Sequence, residues 1–303
     1  MKKTTQLKKM INERRAVVAP GCYDVLSAKL IQEAGFELTQ VSGFGVSACL
    51  LGKPDVGLLG WNEVVDMTWR VAHAVDIPVM GDGDTGFGNA LNVIRTVQDF
   101  IQVGAAGVNL EDQVFPKRCG HMEGKQLVSE EEMVLKIQAA VEAREDMDPD
   151  FVINARTDAI AVNGYEDAIK RANAYAKAGA DMIFLEAPTD KEMIRDAIAK
   201  IDAPVSINLF DSVVGGKTPL IPIDELAELG VARVSVPVGT IFVVTKWLRE
   251  YLKVLKERGI MPDRTDLLCT FDEFKNLVGL PEYKEMEKCF LPKSVVEKKY
   301  GDK

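Results

Sequence analysis

Two histidines are all that 303 residues contain, and the five cysteines, at 22, 49, 119, 269 and 289, are odd in number, widely spaced and free of any CxxC pair. So sparse a set of soft ligands suggests neither a disulfide framework nor a structural zinc site. The thiols are expected to be reduced, several of them serving as small core residues. No apolar run is long enough to cross a bilayer, and the basic N-terminus MKKTTQLKKMINERRAVVAP lacks the apolar stretch of a secretory signal. A soluble, cytoplasmic protein is the expectation. Cations are short too: 37 Lys and Arg stand against 46 Asp and Glu, a net charge of -9 that disfavours nucleic-acid and membrane-surface partners. No GxGxxG follows the first β-prone run and no GxxxxGK(S/T) occurs, so the usual nucleotide-phosphate cradles are missing. GDGDTGFG (81–88) is glycine-rich, but its aspartates repel phosphate unless a cation intervenes.

What is present is a cadence. Short apolar runs recur at 16–21, 38–43, 77–84, 107–112, 151–157, 182–187, 204–209 and 232–237, each followed by a segment with helical periodicity. The spacing predicts a helix over 90–104 with Leu91, Ile94, Val97 and Ile101 on one face, and another over 165–181 burying Ala168, Ala172 and Tyr175. The near-repeats VGAAGVNLED and AGADMIFLEA each give a helix-end glycine, a turn, a strand and a terminal carboxylate. Eight such units predict an α/β chain folded as a (β/α)8 TIM-type barrel over residues 1–243; an open doubly wound sheet is the alternative that the strand count disfavours. Residues 244–303 read as a C-terminal helical extension, expected to pack on a neighbouring subunit rather than cap its own barrel.

In such a barrel the C-terminal strand ends share one mouth. They carry Ser42 and Gly43, Asp82 and Asp84, Glu111, Arg156 and Asp158, Glu186, and Asn208. Asp82 and Asp84, two apart, point the same way on a continuing strand. Oxygen donors without histidine favour Mg²⁺ or Mn²⁺, against the equally weighted alternative of a wet loop whose aspartates cap turns. Arg156 fits a carboxylate clamp or an internal ion pair with Glu111 or Glu186.

Lys117, Arg118, Cys119, Gly120 and His121 form the string KRCGH in a long loop before a helix that Ser129 and Glu132 are expected to cap. With glycines at 120 and 124 the loop reads as a lid. Flanking cations should lower the Cys119 pKa toward neutrality, which suits proton transfer. A nucleophile would want a fixed base, and a zinc ligand would want partners that His73, in a helical stretch, does not supply.

Taken together, SGFGVSACLLGKPDVGLL (42–59), GDGDTGFG, GVNLEDQVFPKRCGH (107–121), INARTDA (153–159), IFLEAP (183–188) and NLFDSVVGGKTP (208–219) resemble the isocitrate lyase and phosphoenolpyruvate mutase superfamily over nearly the whole chain. The resemblance implies an eighth helix swapped between subunits, a homotetramer of paired dimers, and cleavage of a 2-hydroxy dicarboxylate substrate through an enolate-like dianion. By position it implies Asp82 and Asp84 as metal ligands, with Asp55 and Glu111 reaching the Mg²⁺ (or Mn²⁺) through water. Cys119 matches the general acid. Ser42, Gly43 and Phe44 match the segment that holds a 2-oxo acid carboxylate, and Lys117, Gly120, His121, Arg156, Glu186 and Asn208 match further substrate-binding positions.

The chain departs from the 2-methylisocitrate lyases of that superfamily where Phe242 and Phe271 stand in place of arginines for a third carboxylate. It departs from the oxaloacetate hydrolases at Pro237, where they tend to carry serine. A carboxylate left against an apolar wall is costly, so a smaller methylated dicarboxylate fits better. 2,3-Dimethylmalate, giving propionate and pyruvate, is the first expectation and 2-methylisocitrate the second. A non-catalytic barrel is a third reading, against which the intact acid, carboxylates and lid all count.

Overall fold

The computed structural model describes residues 1–210, 216–260, 263 and 265–301. The 211–215 part of the NLFDSVVGGKTP stretch lies outside them. All eight expected strands form: β1 (Val17–Cys22), β2 (Thr39–Val41), β3 (Val79–Asp82), β4 (Gly107–Glu111), β5 (Val152–Thr157), β6 (Met182–Leu185), β7 (Val205–Asn208) and β8 (Arg233–Val236). They pair in parallel and in sequence order, and Val17 in register with Arg233 closes β1 on β8. This is a closed (β/α)8 barrel.

Helices α1 (Lys3–Asn12) and α2 (Val25–Glu33) flank β1, and the short α3 (Gly43–Val46) follows β2. The barrel continues with α4 (Trp61–Ala74), α5 (Ala90–Gln102), α6 (Glu130–Met147), α7 (Ala159–Val162), α8 (Tyr165–Lys177), α9 (Lys191–Lys200) and α10 (Ile223–Leu229). Local chemistry sets the helix starts: the Asp24, Ser129 and Asp190 side chains accept from the amides of Ser27, Glu132 and Met193. One periodicity expectation is corrected. In α5 the buried stripe is Val93, Thr96, Val97 and Phe100, and Leu91 is exposed, because the Phe100 ring packs where Gly81 of β3 leaves no side chain. Ala168, Ala172 and Tyr175 of α8 are buried as expected. Of the cysteines only Cys22 is a core residue; Cys119 is half-buried, and Cys49, Cys269 and Cys289 are exposed.

Period-two alternation sorts the inward side chains by height. At the bottom, Val17, Leu38, Met80, Val152 and Met182 pack with Leu7, Met10 and Ile11 of α1, which plugs that end. Each such buried side chain contributes roughly 1.5–3 kcal/mol. One step up each strand the interior turns polar: Gln40 bonds Ser235 at 2.6 Å, Asn154 bonds Asn109 at 2.7 Å, and the buried Arg233 bonds Ser206 at 3.1 Å. Another step up brings Ser42, Asp82, Glu111, Arg156, Glu186, Asn208 and Pro237, the charged rim.

The chain divides into two units, Met1–Val243 and Val244–Lys303. Helix α11 (Gly239–Arg258) starts in the first, where the Thr240 hydroxyl donates to the Gly21 carbonyl, and most of it lies in the second. The second unit holds α12 (Phe271–Leu277), α13 (Leu280–Phe290) and α14 (Lys293–Tyr300). It exposes Trp247, Leu248, Leu252, Phe271 and Phe290. Among the described residues no helix is long and apolar enough to cross a membrane.

Candidate active site

The rim side chains surround a cleft floored by Gln40, Asn109 and Ser235 and roofed by the KRCGH loop. One side holds carboxylates. Asp82 accepts from the Gly43 amide at 3.0 Å, so close an approach that any side chain at 43 would overlap its oxygen. Strand β3 does not continue to Asp84, which takes a φ of 45° and turns its side chain into the cleft. The expectation that both aspartates point the same way along one strand therefore gives way to a turn that still brings both to the cleft. Lys117, 4 % exposed, reaches down from the loop to Asp55 at 2.7 Å and to Asp84 at 2.8 Å. Burial opposes its charge, but Asp84, Asp55 and Glu111 outweigh burial and hold its pKa well above the usual lysine range. The reverse balance holds for the acids. Burial, with Asp82 and Asp55 beside it, pushes Asp84 up to about 7 despite Lys117, and burial drives Glu111 well above the carboxylate range despite Arg156.

The other side holds cations in balance with acids. Arg156 grips Asp158 through two bonds of 2.9 and 3.0 Å and lies 3.5 Å from Glu111 and 3.7 Å from Glu186. The internal ion pair read from sequence is thus present, with Asp158 as its main partner. Asn208 donates to both Glu186 oxygens at 3.3 and 3.4 Å, while its own carbonyl oxygen is buried with no partner among the described residues. His121 accepts at Nδ1 from the Lys217 amide, 3.2 Å, and its Nε2 lies 3.2 Å from both Glu186 Oε1 and Asn208 Nδ2. Burial, more than any neighbour, lowers its pKa and keeps it neutral.

One expectation for the loop is corrected. Cys119 is not a thiol tuned toward neutrality: burial, aided by Asp55 and Glu186 and opposed by the His121 amide, pushes it up to about 11. The loop lies seated over the cleft. Gln113 makes paired hydrogen bonds with Arg118, 2.8 and 3.0 Å, and the Cys119 amide donates to Asp55. Gly120 packs so tightly on Arg156 and Glu186 that any side chain there would collide with both.

An apolar wall completes the cleft. Phe44 and Phe210 line it, and Phe242 stands behind them at 5.8 and 5.7 Å between ring centroids. Pro237 is also at the wall. Phe271, expected beside Phe242, belongs to the second unit, where Lys275 lies over its ring at 4.7 Å. Sequence reasoning missed Phe210, Lys125 and the polar floor. Gln40, Asn109 and Ser235 each precede a named rim residue by two, so alternation could have found them. Nothing local marked Phe210 or Lys125.

The carboxylate side suits a hard divalent cation by chemistry. Its donors are all oxygen, and Glu111 Oε1 is buried with no hydrogen-bond partner among the described residues. Among the described residues no three or more His, Cys, Asp and Glu side chains are gathered as a metal site, and Lys117 stands between Asp55 and Asp84 instead.

The description of the phosphoenolpyruvate phosphomutase family matches residues 7–256. The chain belongs to that family. It is 42% identical over 287 residues to the 2,3-dimethylmalate lyase of Eubacterium barkeri, covering 95% of this chain and 98% of that one. It is also 42% identical over 281 residues to a 2-methylisocitrate lyase of Aeropyrum pernix, covering 93% and 89%. Among solved structures, phosphonopyruvate hydrolase in complex with oxalate and Mg²⁺ superposes with a TM-score of 0.85 at 30% identity, over 96% of this chain and all of that one. Equal identity to two lyases of different substrates leaves the choice between them to the cleft.

Proposed function

We propose that the protein is a divalent-metal-dependent carbon–carbon lyase that cleaves a 2-alkylmalate, best 2,3-dimethylmalate, to pyruvate and propionate. The observation that carries this reading is a thiol that lines one cleft together with a carboxylate cluster and Arg156. Burial pushes the Cys119 thiol up to about 11, which disfavours a thiolate nucleophile and suits an acid for a far more basic carbanion. Asp82 and Asp84 would hold Mg²⁺ or Mn²⁺, with Asp55 and Glu111 reaching it through water. A metal bound there supplies Lewis-acid stabilisation of the developing 2-oxo acid.

The remaining work falls to the chain itself. The Phe44 amide and the Ser42 turn, beside the Gly43 amide that Asp82 holds, receive the 2-oxo acid carboxylate at the start of α3, and Asn208 Oδ1, which lacks a partner among the described residues, accepts from the substrate hydroxyl. The hydroxyl proton passes to the Glu186 carboxylate, which Asn208 holds, as the C2–C3 bond breaks and its electron pair passes to the departing fragment. Cys119 protonates that fragment, balancing the proton lost. Arg156, His121 and the Gly120 backbone hold the fragment's carboxylate. The wall of Phe44, Phe210 and Phe242 accommodates methyl groups and offers no cation to a third carboxylate, which favours dimethylmalate over 2-methylisocitrate. Phe271 would join that wall from a neighbouring subunit, in a homotetramer built by exchange of α11 and the helices after it.

Purified protein with Mg²⁺ should release pyruvate from 2,3-dimethylmalate faster than from 2-methylisocitrate, and oxaloacetate should yield little. The reverse order between the first two would sink the wall argument. Cys119→Ser should lower kcat by about 10²–10⁴-fold, the usual worth of a general acid, while still binding oxalate in calorimetry. Loss of oxalate binding in that variant would make Cys119 a structural residue.

A further inference from the structure

Lys125 lies in the same loop, six residues after Cys119, yet its ammonium is buried and committed on two sides. It donates to the Gly120 carbonyl and sits 2.7 Å from Asp158 Oδ1. Asp158 is fully buried and receives both forks of Arg156, so the chain of contacts runs from the loop backbone through Lys125 and Asp158 to the guanidinium. The base of that chain is rigid: Asp112 accepts from the Asp158 amide at 3.0 Å and from the Thr157 and Tyr175 hydroxyls at 2.8 and 2.9 Å. Gly120 itself rests on Arg156 and Glu186 with no room for a Cβ.

We propose that Lys125 is a positioning residue that makes seating of the Cys119 loop and aiming of Arg156 a single event. One ammonium fixes the carbonyl next to the thiol-bearing residue and the carboxylate that orients the clamp. A loop that lifts at Gly120 takes one of the two anchors from the Lys125 ammonium, and an Asp158 that shifts with a swinging Arg156 takes the other. Arg118, whose side chain lies on the loop's outer face, supplies a tryptic site that reports on seating without turnover. The part of the inference that concerns Arg156 as a carboxylate clamp rests on the lyase reading; the part that concerns loop seating does not.

The test compares trypsin cleavage after Arg118 in the full-length protein with and without oxalate and Mg²⁺. Lys125→Met should speed cleavage about tenfold or more, since proteolysis follows the open population, and oxalate should no longer protect the loop. Lys125→Gln, which keeps a donor for Gly120 but no charge for Asp158, should fall between, and it covers the case in which the methionine variant does not fold. Arg144→Met is the control. That arginine is a buried cation paired with Asp181, outside the cleft, and its loss should leave Arg118 cleavage unchanged. Both Lys125 variants should lose kcat more than they raise KM for dimethylmalate. Wild-type cleavage rates in both, or equal acceleration in Arg144→Met, would overturn the proposal; absence of lyase activity in the wild type with the cleavage pattern intact would overturn only the lyase reading.

Discussion

Asp84 and Asp158 are both buried aspartates at the mouth of one barrel, and their surroundings drive them in opposite directions. Asp84 shares Lys117 with Asp55 and has Asp82 beside it, so burial prevails and its pKa rises to about 7. Asp158 is equally buried, but Arg156 and Lys125 outweigh the cost and hold it well below the carboxylate range. Depth is the same; the local ratio of cations to anions differs. A buried acid with cations to match is scaffold, whereas a group of acids short of cations is a place where a further cation lowers the free energy.

The largest expected effect breaks the balanced side. Asp158→Asn leaves two buried cations without their anion and should cost about 3–5 kcal/mol in urea unfolding. A loss under 1 kcal/mol would mean that water, not the loop, satisfies Arg156 and Lys125. The next effect sharpens the unbalanced side. Mg²⁺ at about a hundred times its dissociation constant should stabilise the protein by about 2.7 kcal/mol, read as a rise in thermal midpoint. Asp84→Asn should abolish that rise and should raise metal-free stability at neutral pH, because burial makes the charged form of this acid unfavourable in the native protein.

The last effect, spread over several pH units, is a pair of opposite pH slopes. Asp84, raised from 3.8 to about 7, contributes stability that is full below about pH 4 and lost as pH rises through about 7. Asp158, lowered from 3.8, contributes stability that is present above about pH 4 and lost as pH falls. Asp84→Asn should therefore flatten the metal-free stability profile between pH 4 and 7, and Asp158→Asn should flatten it below pH 4. Urea midpoints measured at unit pH steps would expose either slope having the wrong sign.

The barrel was legible because it is written locally. Eight apolar runs of strand length, each followed by a helix, allow few other folds, and alternation places Ser42, Asp82, Glu111, Arg156, Glu186 and Asn208 at one end without further information. Helix faces were less secure: the stripe of α5 is decided by where Phe100 finds a gap over Gly81, a fact about β3 rather than about the helix.

The sequence by itself determined the strand order, the polar rim and the acid-rich, histidine-poor ligand set, because each follows from periodicity or from residue type. Only the tertiary structure decided the state of those groups. In the string KRCGH the neighbours of Cys119 suggest an acidified thiol, yet folding sends Lys117 to Asp55 and Asp84, turns His121 to Glu186 and buries the sulfur, so that its proton is held more tightly. Lys125 gives no local signal and becomes a buried link to Asp158. A protonation state depends on desolvation and on charges within a few ångströms, and in a barrel those charges come from strands tens of residues apart.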